Sequence, residues 1–342
     1  MSVDCALITA IPVELDRLRF HFRGSKTISD GSHIFFETMS PNGLSLVGAM
    51  SQGMGQLNAA ALVMDVLSRY SPKTIILVGI TGGMDKSIGL GDVVVSSQIV
   101  DYELGKITPE GLDARWSVYP VDSALLNKAR NFRSSSWIEY IQTPRPNTGN
   151  TKKEPSSHIG LYLSGNKVIA SEKAAGALRS VWRHAAAVEM EGAGIAAILR
   201  QKPNPPGFIV IKGVCDYADS QKNDEWQVYS ADAAASFAYS FVIDQLSPQD
   251  FVGSHRQVVS RVRDAGIDFE GLRTALAASY SLSELKVMCF DLDIDWDEIE
   301  GSVKSERIVE IIKLFKRQNR LPTLIAKVNR DSNNILASYI NR

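Results

Sequence analysis

The sequence predicts an α/β domain whose sheet is covered on both faces, followed by a small all-helical bundle. Strand-like and helix-like runs alternate as far as Leu246. The strand-like runs are continuously apolar and β-branched, with little polar alternation, the pattern of strands buried from both sides. Near Ser247 the texture changes to short helical segments with clear start signals. A length of 342 residues suits two domains, and a 44% hydrophobic content is enough for a large core.

Taken in order, "CALITAI" reads as a buried strand, and after Pro12 the spacing of Val13, Leu15, Leu18 and Phe22 is helical. "LSLVGAM" is the next strand, and "SQGMG" (Ser51 to Gly55) opens into an amphipathic helix. "KTIILVGITGG" and "GDVVVSSQIV" are strands joined to their neighbours by glycines. From Asp101 to His158 the pattern weakens, and "QTPRPNTGNTKKEPSSH" reads as a long surface loop. Order returns with "IGLYLSGNKVIAS", a helix around "EKAAGALRSVWRH", the strand-like "AAAVEMEG" and the helix "AGIAAILRQ". The strand "PGFIVIKGVCDYAD" and a long helix from about Asn223 to Leu246 close the domain.

These signals divide the chain into a first domain over 1–247, a linker over 248–265 and a helical domain over 266–342. In the last, Ser281 with Glu284 and Asp295 with Glu298 fit the capping-box pattern, in which each side chain satisfies an otherwise orphan amide. Ile308, Ile311, Ile312 and Phe315 give one helix an apolar face.

With 37 basic and 38 acidic residues, the net charge is −1, so charge makes no case for binding nucleic acid or an anionic membrane. No run is long and apolar enough to span a bilayer, and Asp4 and Glu14 flanking the first apolar run argue against a secretory signal. Cys5, Cys215 and Cys289 lack disulfide or zinc spacing, which fits a reducing, cytoplasmic setting with no metal and no cofactor.

Two kinds of feature point to chemistry. The glycine loops "SQGMG" and "GITGG" (Gly79 to Gly83) let the backbone approach a ligand, although a tight strand-to-helix turn has the same composition. Neither matches the dinucleotide or P-loop pattern. Glu14, Glu189, Glu191 and Asp216 each fall at or just past the carboxyl end of an expected strand, where open α/β sheets bind ligands. Convergent acids there suit acid/base work or hydroxyl binding. The plainer alternatives are a solvated first-turn acid for Glu14 and a cap or turn residue for Asp216. Trp226 and Tyr229, three apart, suit packing better than base stacking.

In this order, the segments "AIPVELDRL", "VGITGG…GLGDVVVS", "LYLSGNKVIAS", "AVEMEGAGIA" and "VCDYAD" resemble the purine nucleoside phosphorylase/uridine phosphorylase superfamily. Within it, they are most similar to the methylthioadenosine/S-adenosylhomocysteine nucleosidases. The resemblance covers about residues 3–246 and implies a nucleoside phosphorylase-like three-layer fold with a mixed central sheet. It implies that Glu191 binds the ribose 2′- and 3′-hydroxyls with Met190 beneath the sugar and Glu189 in support. Asp216 would donate to purine N7, and Glu14 would orient or activate water. Ile80, Thr81 and Gly82 would form the substrate-binding turn, and Val168 and Ile169, on the strand-like "LYLSGNKVIAS", would line the base pocket.

Two departures bear on the reaction. Phosphorylases of the superfamily hold phosphate with an arginine where this sequence has Leu77, so water is the expected nucleophile. Cys215 stands where the family has a serine before the aspartate. Lys106 and Arg115, in "DYELGKITPEGLDARW", are either solvated loop charges or phosphate contacts that would extend the substrate from a purine, adenine above all, nucleoside to a nucleotide. "DYADSQKNDEWQVYSADAAA" resembles a branch fused to signalling or death-like modules in immune-type proteins. The carboxy-terminal helices resemble effector-associated, death-like domains of bacterial conflict systems, which recruit a partner with a related domain. The resemblance thus implies a purine nucleosidase, homo-oligomeric as its superfamily usually is, depleting nucleotides in antiviral defence. A phosphate-dependent phosphorylase and a non-catalytic nucleotide sensor are the rival readings.

Overall fold

The computed structural model describes residues 2–22, 24–30, 33–109, 111–132, 134–146, 154–220, 224–251, 269–292, 294–318 and 320–331. The chain divides into two compact units, Met1–Phe251 and Val252–Arg342.

The strands of the first unit, in chain order, are β1 (Cys5–Thr9), β2 (Lys26–Asp30), β3 (His33–Met39), β4 (Ser45–Met50), β5 (Thr74–Gly83), β6 (Val93–Asp101), β7 (Gly105–Thr108), β8 (Gly111–Ala114), β9 (Ser117–Pro120), β10 (Ser157–Ser164), β11 (Ala185–Glu189) and β12 (Gly207–Asp216). Ten of them form one mixed sheet in the order β11-β10-β6-β12-β5-β1-β4-β3-β2, with β9 beside β6, while β7 and β8 pair separately. β1 lies parallel to β4 and β5, and β12 lies parallel to β5 but antiparallel to β6. A short antiparallel pairing of Ala187 and Val188 with Gly83 and Gly82 joins β11 back to β5. That closure gathers the carboxyl ends of β5, β11 and β12 into one place.

Strand parity explains the layers. Cys5 and Leu7 of β1 enter one core with α1 (Pro12–His21) and α7 (Gln227–Gln245), whereas Ala6 and Ile8 enter a second core with α2 (Gln56–Tyr70) and α6 (Gly192–Arg200). In β12, Ile209 and Ile211 join the first core, and Phe208, Val210 and Val214 the second. Successive side chains point to opposite faces of a strand, so a run apolar at every position is buried on both sides. α2 and α6 cross so closely that a Cβ on Gly194 would collide with the Gln56 carbonyl. The expected α/β architecture with a mixed sheet and helices on both faces is what the chain adopts.

Some elements differ from the expectation. The region from Asp101 to His158, with no clear pattern in sequence, carries β7 to β9 and the helices α3 (Ser123–Asn131) and α4 (Ser136–Glu139); residues 147–153 of the expected loop lie outside the described residues. Asp122 caps α3 by accepting from the Leu125 amide at 2.9 Å. The hairpin of β2 and β3 has no counterpart in the sequence reading. The helix expected from Asn223 begins at Gln227, and Asn223 itself lies outside the described residues. After α5 (Glu172–Val181) and α6, the first unit ends in α7 and the short α8 (Pro248–Phe251), so the expected linker opens in a helical turn. Its remainder lies outside the described residues.

The second unit contains α9 (Phe269–Ser279), α10 (Leu282–Asp291), α11 (Lys304–Arg317) and α12 (Leu321–Asp331) around a core of its own. Ile308, Ile311, Ile312 and Phe315 all enter that core. The box at Ser281 forms: Glu284 accepts from the Ser281 amide at 2.7 Å and donates its own amide to the Ser281 hydroxyl at 3.3 Å. Asp295 caps only the three-residue 3₁₀ turn Trp296–Glu298, not an α-helix. Ile294 and Ile299 on either side of the turn are buried in the core.

Candidate active site

β12 carries a lysine where its parity demands an apolar residue. Lys212 shares the face of Phe208, Val210 and Val214, and it is 1% exposed. A buried ammonium needs partners, since an unpaired charge in a protein interior is expensive. Lys212 Nζ lies 2.8 Å from Glu191 Oε2 and 3.1 Å from Glu189 Oε2. Burial alone would push this ammonium down, but Glu191, Glu189 and Glu14 together hold it well above its ordinary range.

Each glutamate is fixed by backbone as well. Glu189 ends β11 and accepts from the amides of Glu191 (2.9 Å) and Gly192 (3.0 Å), which cap the start of α6. Glu191 is the N-cap residue of α6, and its other oxygen accepts from the Gly55 amide at 3.0 Å. Gly55 has φ +103°, in the region that favours glycine, and this conformation aims its amide inward at the start of α2. Burial raises the Glu191 carboxyl, but Lys212 and the amides outweigh it, so its pKa lies below the usual value and it is ionised.

Glu14 reaches the cluster from the first turn of α1. One oxygen accepts from the amides of Ala10 (2.7 Å) and Ile11 (3.1 Å), and the other accepts from Ile80 (2.8 Å). Its carboxylate occupies the space a side chain on Gly79 would fill. Burial pushes Glu14 up; the Lys212 charge opposes this and Glu191 adds to it, leaving a net rise. One carboxylate held ionised and a second drawn toward neutrality sit around one ammonium.

Asp216 stands at the end of β12, past a bulge between Val214 and Asp216 that re-aims its side chain. Its Oδ1 accepts from the Ala218 amide at 2.8 Å, and Ala218 holds φ +56° to present it. That left-handed conformation is uncommon for alanine and marks a tightly determined turn. The Cys215 thiol reaches Asp216 Oδ2 at 3.3 Å, so sulfur makes the contact for which the resemblance supplies a serine. Across β5, a Cβ on Gly82 would meet Asp216 Oδ1 at 3.1 Å and Val188 Cγ1 at 3.2 Å. Gly82 therefore lets the Asp216 carboxylate pack closely against β5.

Residues 4–244 match the family model for the Phosphorylase superfamily. The chain belongs to this superfamily. A 5′-methylthioadenosine/S-adenosylhomocysteine nucleosidase from Mycobacterium bovis is 26% identical over 250 residues, spanning 70% of this chain and 95% of that protein. The solved nucleosidase of the same name from Neisseria meningitidis, in complex with methylthio-immucillin-A, is 25% identical with a TM-score of 0.56, covering 70% of this chain and 98% of its own. Futalosine hydrolase of Helicobacter pylori shares the fold at 19% identity, with a TM-score of 0.57 over 72% of this chain and 99% of its own. Residues 272–331 separately match Effector-associated domain 7.

Within this phosphorylase-superfamily domain, the other sequence-derived candidates are placed unequally. Ile80 gives its amide to Glu14, and buried Thr81 donates its hydroxyl to the Val188 carbonyl at 2.8 Å, bracing β5 against β11. Met190 is partly buried between Glu189 and Glu191. Val168 and Ile169 are not on a strand: β10 stops at Ser164, and a loop follows in which Val168 is 51% exposed and Ile169 packs on the core. The strand stops because Gly165 and Asn166 turn the chain. Asn166 Oδ1 accepts from the Gln56 amide at 2.9 Å, and its Nδ2 donates to Glu103 at 3.1 Å. Lys106, on β7 opposite Asp113, and Arg115, just after β8, are exposed on the separate hairpin.

Lys212 escaped the sequence reading. Its signal was a single cation inside the apolar run "FIVIKGV", where only a paired charge is tolerated. Replacing Lys212 with methionine strands two buried carboxylates and should cost about 3–5 kcal/mol, read as a lower urea midpoint, whereas Lys212→Arg should cost much less.

Proposed function

We propose that the chain hydrolyses the N-glycosidic bond of a purine, chiefly adenine, nucleoside or nucleotide to free base and sugar. The observation that carries this reading is the Lys212 cluster: ionised Glu191 beside Glu14, whose carboxyl burial pushes up. Glycosidic cleavage passes through an oxocarbenium-like state, so it needs fixed negative charge near the sugar, a base for water and a proton donor for the leaving group. Glu191 supplies the first by holding the ribose 2′- and 3′-hydroxyls over Met190, with Glu189 steadying it through Lys212. Glu14 takes the proton from the attacking water, and Asp216 donates at N7 of the departing base. Ile80, Thr81 and Gly82 form the floor, and the Val168–Ile169 loop closes over the base.

Hydrolysis is favoured over phosphorolysis because Leu77 is buried in the sheet and the ammonium at the cluster, Lys212, is already committed to two carboxylates. Neither offers a site for inorganic phosphate. Substrate phosphates would meet Lys106 and Arg115. The helical domain would recruit a protein partner, in a nucleotide-depleting defence role, and the catalytic domain would work as a homo-oligomer.

Chromatography of the purified protein with adenosine, methylthioadenosine, AMP and ATP, with and without phosphate, tests the reading. Adenine release independent of phosphate is expected, and no free base from any substrate would refute it. Asp216→Asn should lose about 10²–10⁴-fold in turnover with an unchanged circular dichroism spectrum. The pH profile provides a second check. Glu14 must be deprotonated to accept a proton, so kcat/KM should fall as pH drops through a value above the ordinary 4.5. In Glu14→Gln that acid limb should vanish along with most of the rate; an unchanged limb would remove Glu14 from the role of base.

A further inference from the structure

Tyr102 follows β6, with its amide donating to the Ser164 carbonyl at 3.3 Å. The residue is 7% exposed, and its hydroxyl has no hydrogen-bond partner among the described residues. Buried hydroxyls rarely go without a partner, so this one calls for a reason. Its surroundings supply one. The ring lies across Gly165, where a Cβ would sit 2.7 Å from the tyrosine oxygen, and the Gly165 amide donates to the Glu189 carbonyl at 3.0 Å. Tyr102 shares an apolar cluster with Val188 and Ala218, the two residues that flank Gly82 alongside Asp216, and Ile169 packs on the same cluster. The Trp182 ring, 6.5 Å away and itself edge-on to Trp116 at 5.4 Å, backs the phenol.

We infer that Tyr102 is a substrate-binding residue whose hydroxyl donates a hydrogen bond to a ring nitrogen of the purine base. The inference rests on the function proposed above and adds a specificity determinant to it. Val188, Ala218 and Ile169 make the kind of apolar wall against which a flat heterocycle packs, with one polar group to orient it. The ribose hydroxyls already have Glu191. Burial, together with the charges of Glu103, Glu189 and Asp101, keeps the phenol well above its ordinary pKa, so it remains a neutral donor. Without ligand the hydroxyl is unsatisfied, and the base would satisfy it on binding.

The test compares wild type with Tyr102→Phe, which keeps the ring and removes the oxygen. The readouts are KM and kcat for the accepted nucleoside, equilibrium binding of adenine and of its 1-deaza and 3-deaza analogues, and the melting temperature. The expected result is a KM raised about 5- to 15-fold with kcat changed less than about threefold, and a melting temperature unchanged or higher. One deaza analogue should bind more weakly than adenine to wild type but equally to the variant, because both changes delete the same bond. Unchanged KM and adenine binding would overturn the inference. So would a lower melting temperature with undiminished affinity, which would make the hydroxyl structural. Wild type that binds adenine but releases no base would refute the hydrolase reading, while the binding comparison still decides Tyr102.

Discussion

The ammonium of Lys212, lodged among carboxylates at the carboxyl ends of the strands, is the constraint on which the rest of the site depends. A lysine in the middle of a doubly covered sheet is shielded from bulk water, so it needs acids held close to it. Glu191 and Glu189 meet it at 2.8 and 3.1 Å, and both are pinned by amides at the starts of α2 and α6. One cation faces three glutamates, counting Glu14, so the cluster carries excess negative charge. That excess weighs on Glu14, which burial already pushes up, while Lys212 keeps Glu191 ionised. The same arrangement therefore shifts two neighbouring carboxyl groups in opposite directions.

Backbone geometry makes the cluster reachable from separate parts of the chain. Gly79 leaves room for the Glu14 carboxylate, Gly82 lets the Asp216 carboxylate pack against β5, and Gly194 lets α6 press onto the start of α2, next to the Gly55 amide that holds Glu191. The antiparallel contact of β11 with β5 and the bulge in β12 complete the convergence. Each feature is local, but each is required by one of the four acids.

Much of this was legible in the sequence, for physical reasons. Strands buried on both faces have an apolar signature independent of what packs on them, so β1, β4, β5, β6 and β12 stood out, and the Ile308 to Phe315 stripe revealed a helix by spacing alone. The acids stood out because they end strands. Lys212 did not, because a lone cation in an apolar run has no meaning until its partners, distant in sequence, are placed beside it. The β2–β3 hairpin and β7 to β9 are less regular in pattern, and their pairing depends on neighbours more than on their own residues. The likeness of "LYLSGNKVIAS" to a family strand puts Val168 and Ile169 on a strand, yet the chain turns at Gly165 and Asn166 and the strand ends at Ser164.

The two units have separate cores. In the proposed reaction, water activated beside the Lys212 cluster attacks the anomeric carbon. Turnover in ¹⁸O-labelled water without phosphate tests this most directly. Hydrolysis should place one ¹⁸O on the anomeric hydroxyl of a sugar trapped before solvent exchange, and none on the base. Base release only when phosphate is present, with a sugar 1-phosphate as the product, would contradict it.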